Sequence, residues 1–236
     1  MTETLVLEDP AGECASRLAA AAAAGSHIAL TGGSTPRVAY ERLAAMDVDW
    51  SGTTLWFGDE RCVPPDDELS NYRLAKEALL DRIPAEDEGG PAVKRILAER
   101  GPHAGADDYE RQLRETLGEE LPRLDVVLLG LGPDAHVASL FPGQATLHVQ
   151  DRLAVGTDEA GLEPYVPRVS LTLPVINSAR LVVFLVTGEG KSDAVARSFA
   201  DEPDPEAPGS MVRPHSGELT VLLDGGAARG LSGAGQ

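Results

Sequence analysis

The sequence predicts an α/β protein: a mostly parallel, doubly wound open sheet with helices on both faces, built as a single domain. Three observations lead there. Apolar runs of strand length recur at 4–7, 27–31, 53–57, 125–130, 180–187 and 218–223, with stretches of helical character between them. The run beginning at Val126 is apolar throughout instead of alternating, as expected of a strand covered on both faces of a parallel sheet. The chain of 236 residues, 42% of them hydrophobic, is long enough for one substantial core, and it contains neither an internal repeat nor a clear linker.

The elements follow in order. Strand 4–7 leads to a helix at 11–24. Strand 27–31 runs into Leu30-Thr-Gly-Gly-Ser-Thr-Pro-Arg37 and a helix at 36–45. Here Gly32 and Gly33 let the backbone approach a ligand, Ser34 and Thr35 offer hydroxyls and an N-cap, and Pro36 suits the first helical turn. Exposed N–H groups at a helix start form an anion site, so a phosphate fits, although the segment alone also reads as a plain capped helix. No Gly-Lys-Ser/Thr follows, so this is not a Walker A loop. Strand 53–57 ends in Gly58-Asp-Glu-Arg-Cys-Val-Pro64, which sets two carboxylates and a guanidinium at its end, before a helix at 71–82 capped by Ser70. Residues 85–105, rich in Pro, Gly and acids, read as an excursion from the sheet, and a helix follows at 106–117.

Strand 125–130 stops in glycines and delivers the pair Asp134-x-His136. In open α/β sheets ligands sit beyond the carboxyl ends of the strands, so these side chains belong on the functional rim. Residues 150–167 are a second excursion, after which Arg168 stands at the boundary of another element, 169–173. Strand 180–187 ends in Thr187-Gly-Glu-Gly-Lys191, before a helix at 191–200. A lysine at a helix start is disfavoured by the dipole, a cost that a bound anion would explain. After strand 218–223 the small residues of 225–236 read as a mobile tail. The strand ends near Thr31, Gly58, Gly130 and Thr187 would share one rim, and their coincidence favours a site over four independent turns.

The formal net charge of −18 makes nucleic acid and anionic membranes poor partners, so a small anion must be captured by a few cations and N–H donors. The acidic N-terminus and the short, weakly apolar Ala19 to Ala24 run predict a cytoplasmic protein with no signal peptide or membrane helix. Cys14 and Cys62 are the only cysteines and imply neither a disulfide framework nor a structural metal. Gly130-x-Gly132-x-x-Ala135 formally satisfies the dinucleotide fingerprint, yet it falls halfway along the chain, carries Pro133 and would set Asp134 against a pyrophosphate. Gly-x-Ser-x-Gly and His-Glu-x-x-His are both absent, which removes support for a serine hydrolase or a metalloenzyme. A monomer is compatible with the sequence, which sets no oligomeric state.

Taken together, residues 30–37, 58–64 with Ser70-Asn71-Tyr72, 130–143, 167–177 and Gly188-x-x-Lys191 resemble, in order over nearly the whole chain, the 6-phosphogluconolactonases. Their relatives are the glucosamine-6-phosphate deaminase/isomerases, and Ala138-Ser-Leu-Phe-Pro-Gly143 is similar to the lactonase branch. Asp134-Ala-His136-Val137 departs from that family's usual Asp-Gly-His-Thr, and Ala135 implies a backbone without a demanding positive φ, or a local readjustment. The resemblance implies hydrolysis of 6-phospho-D-glucono-1,5-lactone to 6-phosphogluconate without a cofactor, the substrate being a small phosphosugar lactone. It implies His136 as general base, Asp134 or Asp59 as its orienting partner, and Arg61 at the developing oxyanion or on sugar oxygens. Gly32, Gly33, Ser34, Thr35, Arg168 and Lys191 would hold the 6-phosphate. The rival readings are isomerisation with deamination of an amino sugar phosphate, in which Asp59 would carry a proton, and a non-catalytic sugar-phosphate sensor.

Overall fold

The computed structural model describes residues 2–118 and 121–231. Seven strands form one parallel sheet: β1 (Thr2–Val6), β2 (His27–Leu30), β3 (Thr54–Phe57), β5 (Ala92–Val93), β6 (Val126–Leu129), β9 (Leu181–Val186) and β10 (Glu218–Leu223). Their order is β1-β10-β9-β6-β2-β3-β5. The strands richest in apolar residues are the covered ones: β3 and β6 are buried at every position, whereas β1, on the edge, is mostly exposed. Helices α1 (Pro10–Ala23), α2 (Ser34–Leu43), α3 (Asn71–Ala78), α4 (Pro102–Leu117), α5 (Leu173–Ser178) and α6 (Ser192–Ser198) complete the fold. α1 packs against α2, and α2 against α3.

The chain passes from β2 to β3 on one side and later returns to place β6 on the other side of β2. That reversal opens a crevice at the carboxyl ends of the strands. Two buried tyrosines help shape it. The Tyr40 hydroxyl on α2 donates to the Thr31 carbonyl at 2.7 Å and accepts from the Thr31 N–H at 2.9 Å. The Tyr109 hydroxyl on α4 treats Phe57 in the same way, at 2.8 Å in both directions. Each tyrosine satisfies a backbone pair at a strand end, so the next residues leave the sheet without an orphaned buried group. Burial pushes both phenols well above their ordinary pKa.

A second sheet was not expected from the sequence. β4 (Asp59–Arg61), β8 (Arg168–Leu171) and β7 (Ala154–Thr157) pair antiparallel in the order β4-β8-β7, and α4 packs against β7 and β8. Both excursions therefore contribute strands: 85–105 supplies the edge strand β5, and 150–167 supplies β7. The predicted helix 71–82 breaks at Leu79, φ −130°, into α3 and a one-turn 3-10 helix. Helix α2 starts two residues earlier than expected, so its N-cap is Gly33 and not Ser34 or Thr35. Ser70 does cap α3, its Oγ accepting from the Arg73 N–H at 3.1 Å. Of the expected tail, 225–231 is packed: Ala227 and Ala228 are buried in a 3-10 turn, and a Cβ on Gly230 would meet the Ser192 carbonyl at 2.2 Å. Residues 232–236 lie outside the described residues.

Candidate active site

The strand ends converge on a cleft of about 300 Å³, at the small end for a ligand site. One wall is the start of α2. Gly33, at φ +111°, provides no side-chain cap, so the N–H groups of Ser34 and Thr35 have no intrahelical acceptor and remain donors for an anion. Gly32 must be glycine, because a Cβ there would lie 1.9 Å from Asn71 Oδ1. The Thr35 hydroxyl is 2.8 Å from that of Thr187, which ties the start of α2 to the turn carrying Lys191. Lys191 occupies the N-cap of α6, and its Nζ donates to the Leu131 carbonyl at 2.8 Å. Burial lowers its pKa, and the nearby charge of Asp134 opposes that shift.

Next to this cradle stands the expected pair. His136 Nδ1 is 2.5 Å from Asp134 Oδ1, and the same oxygen accepts the His136 backbone N–H at 3.2 Å. Burial pushes the Asp134 carboxyl up, but its hydrogen bond and charge interaction with His136 outweigh that, and the net shift is below the usual carboxylate range. An ionised Asp134 can only accept, so the proton belongs on Nδ1 and the Nε2 lone pair is free. The His136 ring lies against Phe141, with centroids 4.6 Å apart. Gly132 has a reason that no dinucleotide supplies: a Cβ there would fall 2.0 Å from His136 Nδ1 and 2.5 Å from Asp134 Oδ1.

Of the two alternatives for Ala135, the one in which the backbone avoids a positive φ is overturned. Ala135 is at φ +69° and Ala138 at φ +47°, conformations that disfavour a Cβ by about 1–2 kcal/mol each. Ala135 is held there by the Gly209 N–H, which donates to its carbonyl at 2.9 Å.

The opposite wall comes from the small sheet. Asp59 is buried but does not touch His136: its Oδ2 accepts from Ser139 Oγ at 2.6 Å and its Oδ1 from Asn71 Nδ2 at 3.1 Å. Contact with the histidine thus belongs to Asp134. Glu60, the other carboxylate of the 58–64 motif, points to the start of α3, where it accepts from the N–H groups of Asn71 and Tyr72 at 2.8 Å each and from Ser70 Oγ at 3.0 Å. Burial pushes its pKa up. Arg61 donates to the Leu69 carbonyl at 2.6 Å. Arg168, only 4% exposed, donates to the carbonyls of Pro164 and Val166. All ten residues singled out in the sequence except Asp134 line the cleft directly, and Asp134 stands behind His136. Asn71 and Ser139 were missed as site residues. Asn71 lay within a quoted motif, but nothing in its local sequence revealed its tertiary partner.

The sequence matches the family described as glucosamine-6-phosphate isomerases/6-phosphogluconolactonase over residues 2–221. The chain belongs to this family. Among its similar relatives, the 6-phosphogluconolactonase of Nostoc sp. is 42% identical over 210 residues, covering 87% of this chain and 84% of the relative. The human 6-phosphogluconolactonase is 39% identical over 177 residues, 75% of this chain and 67% of the relative. The solved structure of 6-phosphogluconolactonase from Trypanosoma cruzi superposes with a TM-score of 0.85 at 30% identity, covering 98% of this chain and 97% of that one. A monomeric glucosamine-6-phosphate deaminase superposes with a TM-score of 0.82 at 19% identity, a likeness that concerns the fold alone. Within this family fold, the site pairs an N–H and lysine cradle with a histidine and with arginines on a separate small sheet. Among the described residues, no helix is long and apolar enough to cross a membrane.

Proposed function

We propose that the protein hydrolyses 6-phospho-D-glucono-1,5-lactone to 6-phospho-D-gluconate, the second step of the oxidative pentose phosphate pathway, in the cytoplasm, with His136 as general base. The similarity to lactonases over most of the chain supports the reaction. The observation that carries the role of His136 is its 2.5 Å contact with Asp134 on the wall of the cleft.

The chemistry follows from these residues. The start of α2 and Lys191 hold the 6-phosphate, which supplies the negative charge that unpaired N–H donors and a half-buried ammonium favour. His136 Nε2 takes a proton from water, and the oxygen of that water bonds to the lactone carbonyl carbon. The carbonyl π pair moves onto oxygen, giving a tetrahedral oxyanion. Collapse of this species breaks the bond to the ring oxygen, which receives the proton from the imidazolium Nε2. The new acid then ionises, so water and lactone yield a carboxylate and one proton. Asp134 keeps the proton on Nδ1 and stabilises the imidazolium while it lasts.

Two hydrogen bonds into the Asp59 carboxylate leave it poorly placed to ferry a proton between sugar carbons, which weighs against the isomerase reading. The test is an initial-rate assay on freshly made phosphogluconolactone, corrected for spontaneous hydrolysis, run beside an ammonia assay on glucosamine 6-phosphate. Accelerated lactone hydrolysis with no ammonia is expected. Tight binding of both ligands with no turnover would identify a sensor, and ammonia release would overturn the lactonase reading.

A further inference from the structure

We propose that Asn177, a buried side chain outside the cleft, is a positioning residue for His136, acting through the 3-10 turn Pro208–Met211 that fastens the histidine's own peptide. This rests on the lactonase reading with His136 as its base, and extends it to a residue that touches neither substrate nor histidine.

The peptide joining Ala135 to His136 is held at both polar ends. Its N–H donates to Asp134 Oδ1 at 3.2 Å, and its carbonyl accepts from the Gly209 N–H at 2.9 Å. The first bond lies within the turn, as do those from the Ala135 N–H to the Gly132 carbonyl at 3.0 Å and from the Gly132 N–H to the His136 carbonyl at 2.9 Å. Such bonds set the shape of the turn but not its place in the molecule. The Gly209 bond comes from a distant segment and fixes the tilt of the peptide plane from which the histidine departs. Ala135 sits at φ +69°, which its Cβ disfavours, and a conformation of that kind persists only where the surroundings over-determine it.

The approach of Gly209 is tight. A Cβ there would lie 2.4 Å from Ser198 Oγ and 2.9 Å from Leu131 Cδ1, so a glycine lets this N–H pass between α6 and the end of β6. The turn that carries it borders a second cavity of about 380 Å³, lined in part by Phe199, Ser210, Val212 and Arg213. Close packing gives no support on that side, and hydrogen bonds must supply it. Arg213 braces the turn from its exposed side by donating to the carbonyls of Ser210 and Ala200 at 3.0 Å each.

The buried anchor is Asn177 on α5, 8% exposed. Its Nδ2 donates to the Met211 carbonyl at 3.0 Å, its Oδ1 accepts from the Arg213 N–H at 2.7 Å, and its own carbonyl accepts from the His215 N–H at 3.1 Å. One side chain thus satisfies a backbone donor and a backbone acceptor at the end of the turn. Helix α5 follows β8 directly, and β8 holds the histidine loop by its other fastening, the Ser139 N–H on Ser170 Oγ at 3.2 Å. The ties form a closed ring: β8 to Ser139 on one side, and β8 through α5, Asn177, the turn and Gly209 to Ala135 on the other. Removing the Asn177 amide leaves two backbone groups without partners and opens the ring beside a cavity into which the turn can relax.

The test combines steady-state kinetics on the phosphorylated lactone with amide hydrogen exchange at Gly209. Turnover is expressed per 6-phosphogluconate-binding site, which discounts unfolded protein. Asn177→Ala should lower kcat by about ten- to a hundredfold, the order expected when a reacting group is displaced by about an ångström. KM and the affinity for 6-phosphogluconate should stay within a few fold of the wild type, because the cradle at α2 is untouched. The Gly209 amide should exchange slowly in the wild type and much faster in Asn177→Ala. Ser178→Ala is the control: this neighbour on α5 donates to the carbonyls of Pro122 and Val175, so its loss should lower stability and leave kcat per site unchanged. A kcat for Asn177→Ala within a few fold of the wild type overturns the proposal, and so does an equal loss in Ser178→Ala. Fast exchange at Gly209 in the wild type overturns it without any variant, which covers a variant that does not fold. Absent lactone turnover by the wild type is a different failure, that of the lactonase reading beneath the proposal.

Discussion

The two sheets contribute the donors of the cleft in different ways. At the main sheet the donors are backbone: N–H groups at the start of α2 that Gly33 leaves without a side-chain cap, with Lys191 beside them. At the small sheet they are side chains, two arginines in register and held by carbonyls. A backbone site exists as soon as the helix forms and needs no titratable group, which suits a phosphate that keeps its charge throughout the reaction. The two guanidiniums stand in register on neighbouring strands, and burial together with the charge of Arg61 pushes the Arg168 pKa down. His136 lines the same cleft, on a loop fastened to the small sheet through Ser139.

That contrast can be broken by substitution. Asp134→Asn should have the largest effect of the neighbouring changes, lowering kcat about a hundredfold with a much smaller change in product affinity, because it disturbs the tautomer of the base directly and reaches the cradle only through the charge it presents to Lys191. A drop in affinity as large as that in kcat would refute this. Lys191→Met should reduce kcat/KM for the phosphorylated lactone roughly ten- to a hundredfold, the cost of one charge-assisted contact, and barely affect glucono-1,5-lactone. Equal losses on the two substrates would show that Lys191 is structural. Asp59→Asn should reduce lactonase activity by roughly tenfold or less, short of what a general base supplies, since Asp59 fastens two loops and touches no reacting atom in this account. A loss as complete as that of a missing base would make Asp59 a proton carrier.

The tyrosines provide the smallest and most local comparison. Tyr40→Phe and Tyr109→Phe each leave a buried backbone N–H and C=O without a partner, so each should lower stability by about 1–3 kcal/mol in denaturant titration. Only Tyr40→Phe should also raise KM for the phosphorylated lactone, because Tyr40 anchors the residue that leads into the phosphate loop. Parallel changes in KM for both variants would remove this distinction between the strand ends.

The main sheet was legible because buried parallel strands are written as uninterrupted apolar runs. Its rim was legible because glycines and charged residues follow those runs at once, as in Leu30 to Arg37 and Gly130 to His136. The small sheet was not. Asp59, Glu60 and Arg61 are three charged residues in a row, with no strand pattern, and they pair with β8 only because tertiary contacts bring 168–171 alongside. The role of Asp59 was hidden for the same reason: Ser139 is 80 positions away in sequence, and the hydrogen bond between them has no local signature. The first alternative for Ala135, a backbone without a positive φ, failed because the hydrogen bond from the Gly209 N–H and the tight His–Asp turn accompany a left-handed backbone against the preference of the residue.

The most direct test of the account is steady-state turnover and product binding by His136→Ala. Removing a positioned base should lower kcat by about 10²- to 10⁴-fold, while 6-phosphogluconate binds as in the wild type, because the N–H groups at the start of α2 and Lys191 remain. Turnover within a few fold of the wild type in a folded His136→Ala protein would contradict the central claim that this histidine activates the water.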